Sequence, residues 1–208
     1  MRIFIGIDLD PEVRMRITRF MDGIQGFVPE VRWVRPESLH ITLKFIGEQL
    51  PERVNAMAGS LRKIEAPAFE VNFSGYGFFP TAKAPRVFWI GIHAEPQLAG
   101  LAESIDKVAA ELGIPPEEHA YSPHLTLARG GRKSSGSPKW RSGDGPNRMF
   151  AELQKRLSEM SDLDFGTMMV REFILYRSQL SAGGSKYTKL HSFPLWGVSE
   201  QTAAQQSI

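Results

Sequence analysis

An α+β fold with two related lobes facing one cleft is predicted by three features of the sequence. Strand and helix signals alternate in two comparable sets, each set holds one His-x-Thr strand, and those two strands stand about half a chain apart. The 208 residues, 42% hydrophobic and 23% charged, suffice for one sizeable core. Residues 1–197 read as a single bilobal unit and 198–208 as a polar, frayed tail.

The elements follow in order. Arg2 to Leu9 alternates and is rich in Ile and Phe, which predicts a strand. Asp10 and Pro11 have the chemistry of an N-cap and a first helical position, and Val13, Ile17, Phe20, Met21 and Ile24 recur at helical spacing behind them. Strands are expected at Val31 to Val34 and Leu39 to Ile46, then a helix opening near Pro51 with a stripe of Val54, Met57, Leu61 and Ile64. Phe69 to Phe79 and Val87 to Ile92 read as strands joined by a turn-rich link, and Gln97 to Leu112 as a helix. A short strand begins at His124. Gly130 to Asn147 is rich in Gly, Ser, Pro, Lys and Arg and reads as a basic loop insertion. A helix from Arg148 to Met160, one long strand from Thr167 to Tyr176, a Gly183-Gly184 turn and a strand from Lys186 to Leu195 complete the chain.

Composition excludes several function classes. There is no cysteine, so disulfides, thiolate nucleophiles and cysteine-held metals drop out, which suits a cytoplasmic location. No apolar run reaches the roughly 18 residues that a membrane-spanning helix needs. A net charge of +2 permits an anionic partner without demanding one. No phosphate-loop, nucleophile-elbow or His-Glu-x-x-His pattern is present, and no metal or cofactor is expected.

The chemistry lies in the repeated strand. In LHITLKF, alternation puts His40, Thr42 and Lys44 on one face and Leu39, Ile41, Leu43 and Phe45 on the other; in HLTLAR, His124 and Thr126 share a face opposite Leu125 and Leu127. One His-x-Thr on a strand is weak, because such a histidine is commonly structural. Two copies with the same apolar partner face are hard to obtain by accident. Facing imidazoles suit phosphodiester hydrolysis, which needs one base for water and one acid for the departing alkoxide, and the threonine hydroxyls can donate to phosphate oxygens.

At these residues the chain resembles the two-histidine (2H) phosphoesterase superfamily, and within it the bacterial and archaeal RNA 2′,3′-cyclic phosphodiesterases, historically called 2′-5′ RNA ligases. RIFIGIDL, RWVRPESLHITLKFIGE, the FFP turn, PRVFWIGI, YSPHLTLAR, and LYRSQL followed by a Gly-rich turn and Tyr187 carry the resemblance over nearly the whole chain. It implies a pseudo-twofold fold of two antiparallel sheets lining a central cleft with helices outside. It also implies His40 as proton donor to the leaving 3′ oxygen and His124 as the base, with a 2′-phosphate as product and ATP-independent 2′,5′ ligation as a side activity. RNA ends or small cyclic nucleotides are the implied partners, with no obligate protein partner. A non-catalytic RNA-end or nucleotide-binding module, or a phosphodiesterase for another cyclic or 2′,5′-linked nucleotide, would carry the same residues.

Further candidates are secondary. Lys44 and Arg129 are phosphate-binding candidates beside Thr42 and Thr126, but alternation from His124 brings Arg129 to the right face only if the strand bulges first. Tyr187 could meet a base or sugar, whereas Phe79 reads as core. The basic loop is expected at the cleft mouth, adding salt-sensitive contacts to RNA.

Overall fold

A computed structural model describes residues 1–94, 96–130, 150–160, 163–181 and 184–196; the basic loop beyond Gly130 and the polar tail lie outside them. Two antiparallel sheets organise these residues. The first contains β1 (Arg2–Asp8), β3 (His40–Glu48), β8 (Glu172–Ser181) and β9 (Gly184–Pro194), in the order β3-β1-β8-β9. The second has the order β2-β6-β5-β4-β7, from β2 (Arg32–Trp33), β4 (Phe69–Phe79), β5 (Val87–His93), β6 (His124–Arg129) and β7 (Asp164–Val170). Each histidine strand therefore pairs with the strand that opens its half, β3 with β1 and β6 with β5.

Helices supply the outer layer. α1 (Pro11–Ile24) starts as its capping chemistry dictates: the Asp10 carboxylate accepts the Val13 N–H at 2.8 Å, Pro11 needs no hydrogen-bond partner in the first turn, and Val13, Ile17, Met21 and Ile24 are buried. α2 (Pro51–Leu61) buries Val54, Met57, Ala58 and Leu61, and α3 (Gln97–Glu111) buries Leu98, Leu101, Ala102, Ile105 and Ala109. α4 (Ala151–Ser158) contributes Leu153 and Leu157. These stripes and the inward faces of both sheets form one hydrophobic core. Burial of each such large aliphatic side chain is worth about 1.5–3 kcal/mol, so the core fixes which face of each histidine strand is left for the cleft.

Two expectations need correction. The stretch expected as one strand from Thr167 is two: β7 closes the second sheet against β4, and after Arg171 the chain crosses to the first sheet as β8, paired with β1. The continuous apolar run Phe173–Tyr176 is buried on both faces, as suits a central strand, while the Met168 and Val170 alternation belongs to an edge. The other correction is a β-bulge in β3, which matters for the site.

Candidate active site

The two histidines are held in the same way. The ring of His40 donates Nδ1–H to the carbonyl oxygen of Ser38 at 2.8 Å, and His124 donates Nδ1–H to the carbonyl of Ser122, also at 2.8 Å. A carbonyl oxygen only accepts, so each bond fixes the Nδ1-protonated tautomer and leaves Nε2 as the acceptor nitrogen of the neutral ring. Nε2 of His40 accepts from the Thr42 hydroxyl at 3.1 Å.

An aromatic ring stands edge-on to each imidazole: Tyr187 to His40 with centroids 4.9 Å apart, and Phe79 to His124 at 4.8 Å. Phe4 lies 4.7 Å from His40 and stacks on Tyr176, giving the first half an aromatic floor. In the second half Trp89 fills that place, 5.1 Å from Phe79 and laid across Gly77, where a Cβ would come within 2.1 Å of the indole. Gly6 plays a related part in β1: a Cβ there would sit 2.6 Å from the Ile41 carbonyl and 3.5 Å from the His40 ring.

Both histidine strands bulge at the residue after the threonine. In β3, Thr42 pairs with Gly6 and Lys44 with Ile5, leaving Leu43 extra; in β6, Thr126 pairs with Trp89 and Ala128 with Phe88, leaving Leu127 extra. The bulge reverses alternation beyond it. Arg129 is thereby returned to the cleft face, where its guanidinium donates to the Thr126 hydroxyl at 3.5 Å. Its counterpart in the first half is Phe45, which is exposed.

The same bulge removes Lys44 from the site. Its side chain is 1% exposed, forms an ion pair with Asp106 of α3, and donates to the Pro115 carbonyl at 3.1 Å and to Glu117 at 3.3 Å. The expectation of a phosphate-neutralising lysine is corrected by this geometry: Lys44 faces the core and ties β3 to the segment leading into β6. Tyr121 strengthens that tie by donating its hydroxyl to the Thr42 carbonyl at 2.8 Å.

The site's electrostatics follow from burial. Burial lowers the pKa of His40 from 6.5 to about 4; the Ser38 carbonyl opposes the shift, Arg129 adds to it, and Asp8 opposes it. His124 is lowered by the same burial, against the Ser122 carbonyl, with Arg129 adding. The charge of Arg129 thus reaches both imidazoles, and β3 lies in contact with β6, so the two halves meet at their histidine strands. Asp8 accepts from Arg14 and pairs with Lys189 at 2.5 Å, and burial with the Asp8 charge pushes the Tyr176 hydroxyl up, so that it stays neutral.

The structure thus puts His40, Thr42, His124, Thr126, Arg129 and Tyr187 on the cleft and excludes Lys44. Phe79, expected in the core, belongs to the site, as do Trp89 and Asp8, which sequence reasoning passed over. Pairing of Trp89 with Thr126 and of Asp8 with His40 places them there, and only the alternation of β1 and β5 signals it in the sequence. Among the described residues no group of three or more His, Cys, Asp or Glu is placed to hold a metal ion, and no helix is long and apolar enough to cross a membrane.

Known proteins resemble this chain in sequence and fold. The family model described as LigT like Phosphoesterase matches residues 7–89 and again 90–187. The RNA 2′,3′-cyclic phosphodiesterase of Archaeoglobus fulgidus is 33% identical over 193 residues, covering 93% of this chain and 99% of that protein. The protein of the same name from Methanothermobacter thermautotrophicus is 32% identical, covering 93% and 98%. The crystal structure of E. coli LigT complexed with 3′-AMP superposes with a TM-score of 0.70 at 28% identity, covering 93% of this chain and 97% of that one. Two consecutive family matches, each holding one of the tethered histidines, agree with the doubled site, and the chain belongs to the LigT-like phosphoesterase family.

Proposed function

We propose that the chain hydrolyses RNA 2′,3′-cyclic phosphate ends to 2′-phosphate ends, with His40 and His124 as its acid and base. The observation that carries this reading is the doubled tether, which presents two Nε2 atoms to one cleft beside Thr42, Thr126 and Arg129. Relatives bearing the name RNA 2′,3′-cyclic phosphodiesterase support the substrate.

His124 Nε2 takes a proton from water as its oxygen attacks phosphorus. The P–O3′ bond breaks, and protonated His40 gives its proton to the leaving O3′. Burial favours the neutral form of both rings; a phosphate anion beside them raises their proton affinity, and protonation of His40 makes its Nε2 a donor. The Thr42 hydroxyl then turns to a non-bridging oxygen, as Thr126 and Arg129 do from the other half, so charge on phosphorus meets fixed donors. A 5′-hydroxyl in place of water gives a 2′,5′ join by the same bond changes without ATP, the expected side activity.

The test is turnover of a short RNA with a 2′,3′-cyclic phosphate by the native protein and by His40→Ala and His124→Ala, with EDTA present and the product isomer identified. A 2′-phosphate product and a loss of about a hundredfold to ten-thousandfold in each variant are expected. Undiminished turnover in both variants would refute the assignment.

A further inference from the structure

The two halves differ at the outer edge of their histidine strands. β3 ends its sheet, whereas β6 is covered by the two-residue strand β2. Trp33 of β2 pairs with the buried Ala128 and packs edge-on to Phe88, with centroids 6.1 Å apart, so it faces the core. Arg32 therefore faces the cleft side, in register with Arg129. Pairing extends this row across the sheet as Phe79, Val87, Arg129 and Arg32.

Like charges directly opposite in a ladder repel. Burial comes first among the causes that lower the Arg129 pKa, and the charge of Arg32 adds to it, against Tyr187. Among the described residues the carboxylates that form ion pairs are held by other cations, Asp8 by Arg14 and Lys189 and Glu37 by Arg35, and none is within ion-pair distance of Arg32 or Arg129. Two guanidinium groups side by side with one outward face make a site for more anionic charge than one phosphate supplies.

We propose that Arg32 binds the phosphodiester on the 5′ side of the terminal nucleoside and so makes the site selective for RNA ends over cyclic mononucleotides, which lack that group. The inference rests on the proposed hydrolysis of cyclic phosphate ends. Arg129, at the Thr126 hydroxyl, serves the reacting phosphate. Arg32, one strand spacing of about 4.8 Å further out, lies where the next phosphate of the chain leaves the cleft. In the first half Phe45 takes the position of Arg129, β3 has no covering strand to carry a counterpart of Arg32, and the cations beside His40, Arg14 and Lys189, are both held by Asp8. The backbone therefore runs out over the second sheet.

The test compares a trinucleotide ending in a 2′,3′-cyclic phosphate with 2′,3′-cyclic AMP. For Arg32→Ala the ratio of kcat/KM for the trinucleotide to that for the mononucleotide should fall about tenfold, through KM, as loss of one charge-assisted contact implies, and Arg32→Lys should restore most of it. In parallel, anisotropy of a labelled trinucleotide ending in a 2′-phosphate is followed against salt, where Arg32→Ala should reduce the slope by about 0.7. An unchanged ratio with an unchanged slope, or equal losses on both substrates, would overturn the proposal. If the native protein turns over neither substrate, the hydrolysis reading falls, and the salt slope alone decides whether Arg32 holds a phosphate.

Discussion

Tyr187 meets His40 edge-on at 4.9 Å, and the ring that does the same for His124 comes from a different part of the chain, Phe79 in the turn-bound end of β4. Each imidazole is thus fixed at Nδ1 by a carbonyl and on its flank by an aromatic edge, leaving Nε2 little freedom of aim. An aromatic contact of this kind is worth about 0.5–1.5 kcal/mol. Tyr187→Leu and Phe79→Leu should each lower kcat by up to about tenfold, whereas Tyr187→Phe should stay within about threefold of the native protein. A Tyr187→Phe loss as large as that of Tyr187→Leu would show that the hydroxyl, not the ring edge, is what His40 or the substrate uses.

Lys44 tests whether a buried cation at a repeated motif serves chemistry or architecture. Its partners Asp106 and Glu117 are 24% and 57% exposed, so both carboxylates can rehydrate when the lysine is lost. Lys44→Met should therefore cost about 1–3 kcal/mol in urea unfolding rather than the full penalty of a stranded buried charge. KM for a cyclic phosphate should change less than about threefold. A large rise in KM at native stability would return Lys44 to the phosphate.

The sequence made the histidine strands legible because alternation and a repeated pattern are local properties, and the core stripes of α1, α2 and α3 were legible for the same reason. The fates of Lys44 and Arg129 were not local. Both depend on a bulge set by how β3 and β6 pair with β1 and β5, and one extra residue exchanges the faces of all that follow. Alternation alone placed both residues wrongly, and the bulge foreseen as a condition for Arg129 removes Lys44 by the same step. Phe79 was hidden for a related reason: its partner Trp89 lies on the neighbouring strand, and an aromatic at a strand end looks like core until that neighbour is known. The break at Arg171 is likewise a matter of which sheet each side joins.

Gly77 offers a packing test away from the imidazoles. A methyl group there would come within 2.1 Å of the Trp89 ring, which cannot yield without pressing on Phe79 or His124. Gly77→Ala should destabilise by about 1–3 kcal/mol and shift the tryptophan fluorescence. Gly100, in α3, has nothing within 4 Å of its would-be Cβ, and Gly100→Ala should raise stability by up to about 1 kcal/mol. Equal responses at the two sites would mean that Trp89 is not held against Gly77.

Burial of His40 should also be readable in stability against pH. Its folded pKa is about 4, against 6.5 for an ordinary histidine, with burial the first cause. Between those values the unfolded chain binds a proton that the folded chain does not, so unfolding takes up a proton and stability falls as pH drops from 6.5 toward 4. The contribution is fully present above 6.5, and its loss amounts to up to about 3 kcal/mol, in the same direction as the loss from His124. Urea unfolding at pH 7 and pH 4.5 should therefore show a smaller acid-side loss in His40→Asn than in the native protein, while His124 titrates in both. Parallel losses would mean that the ring of His40 stays hydrated and takes its proton in the folded cleft as readily as in the unfolded chain.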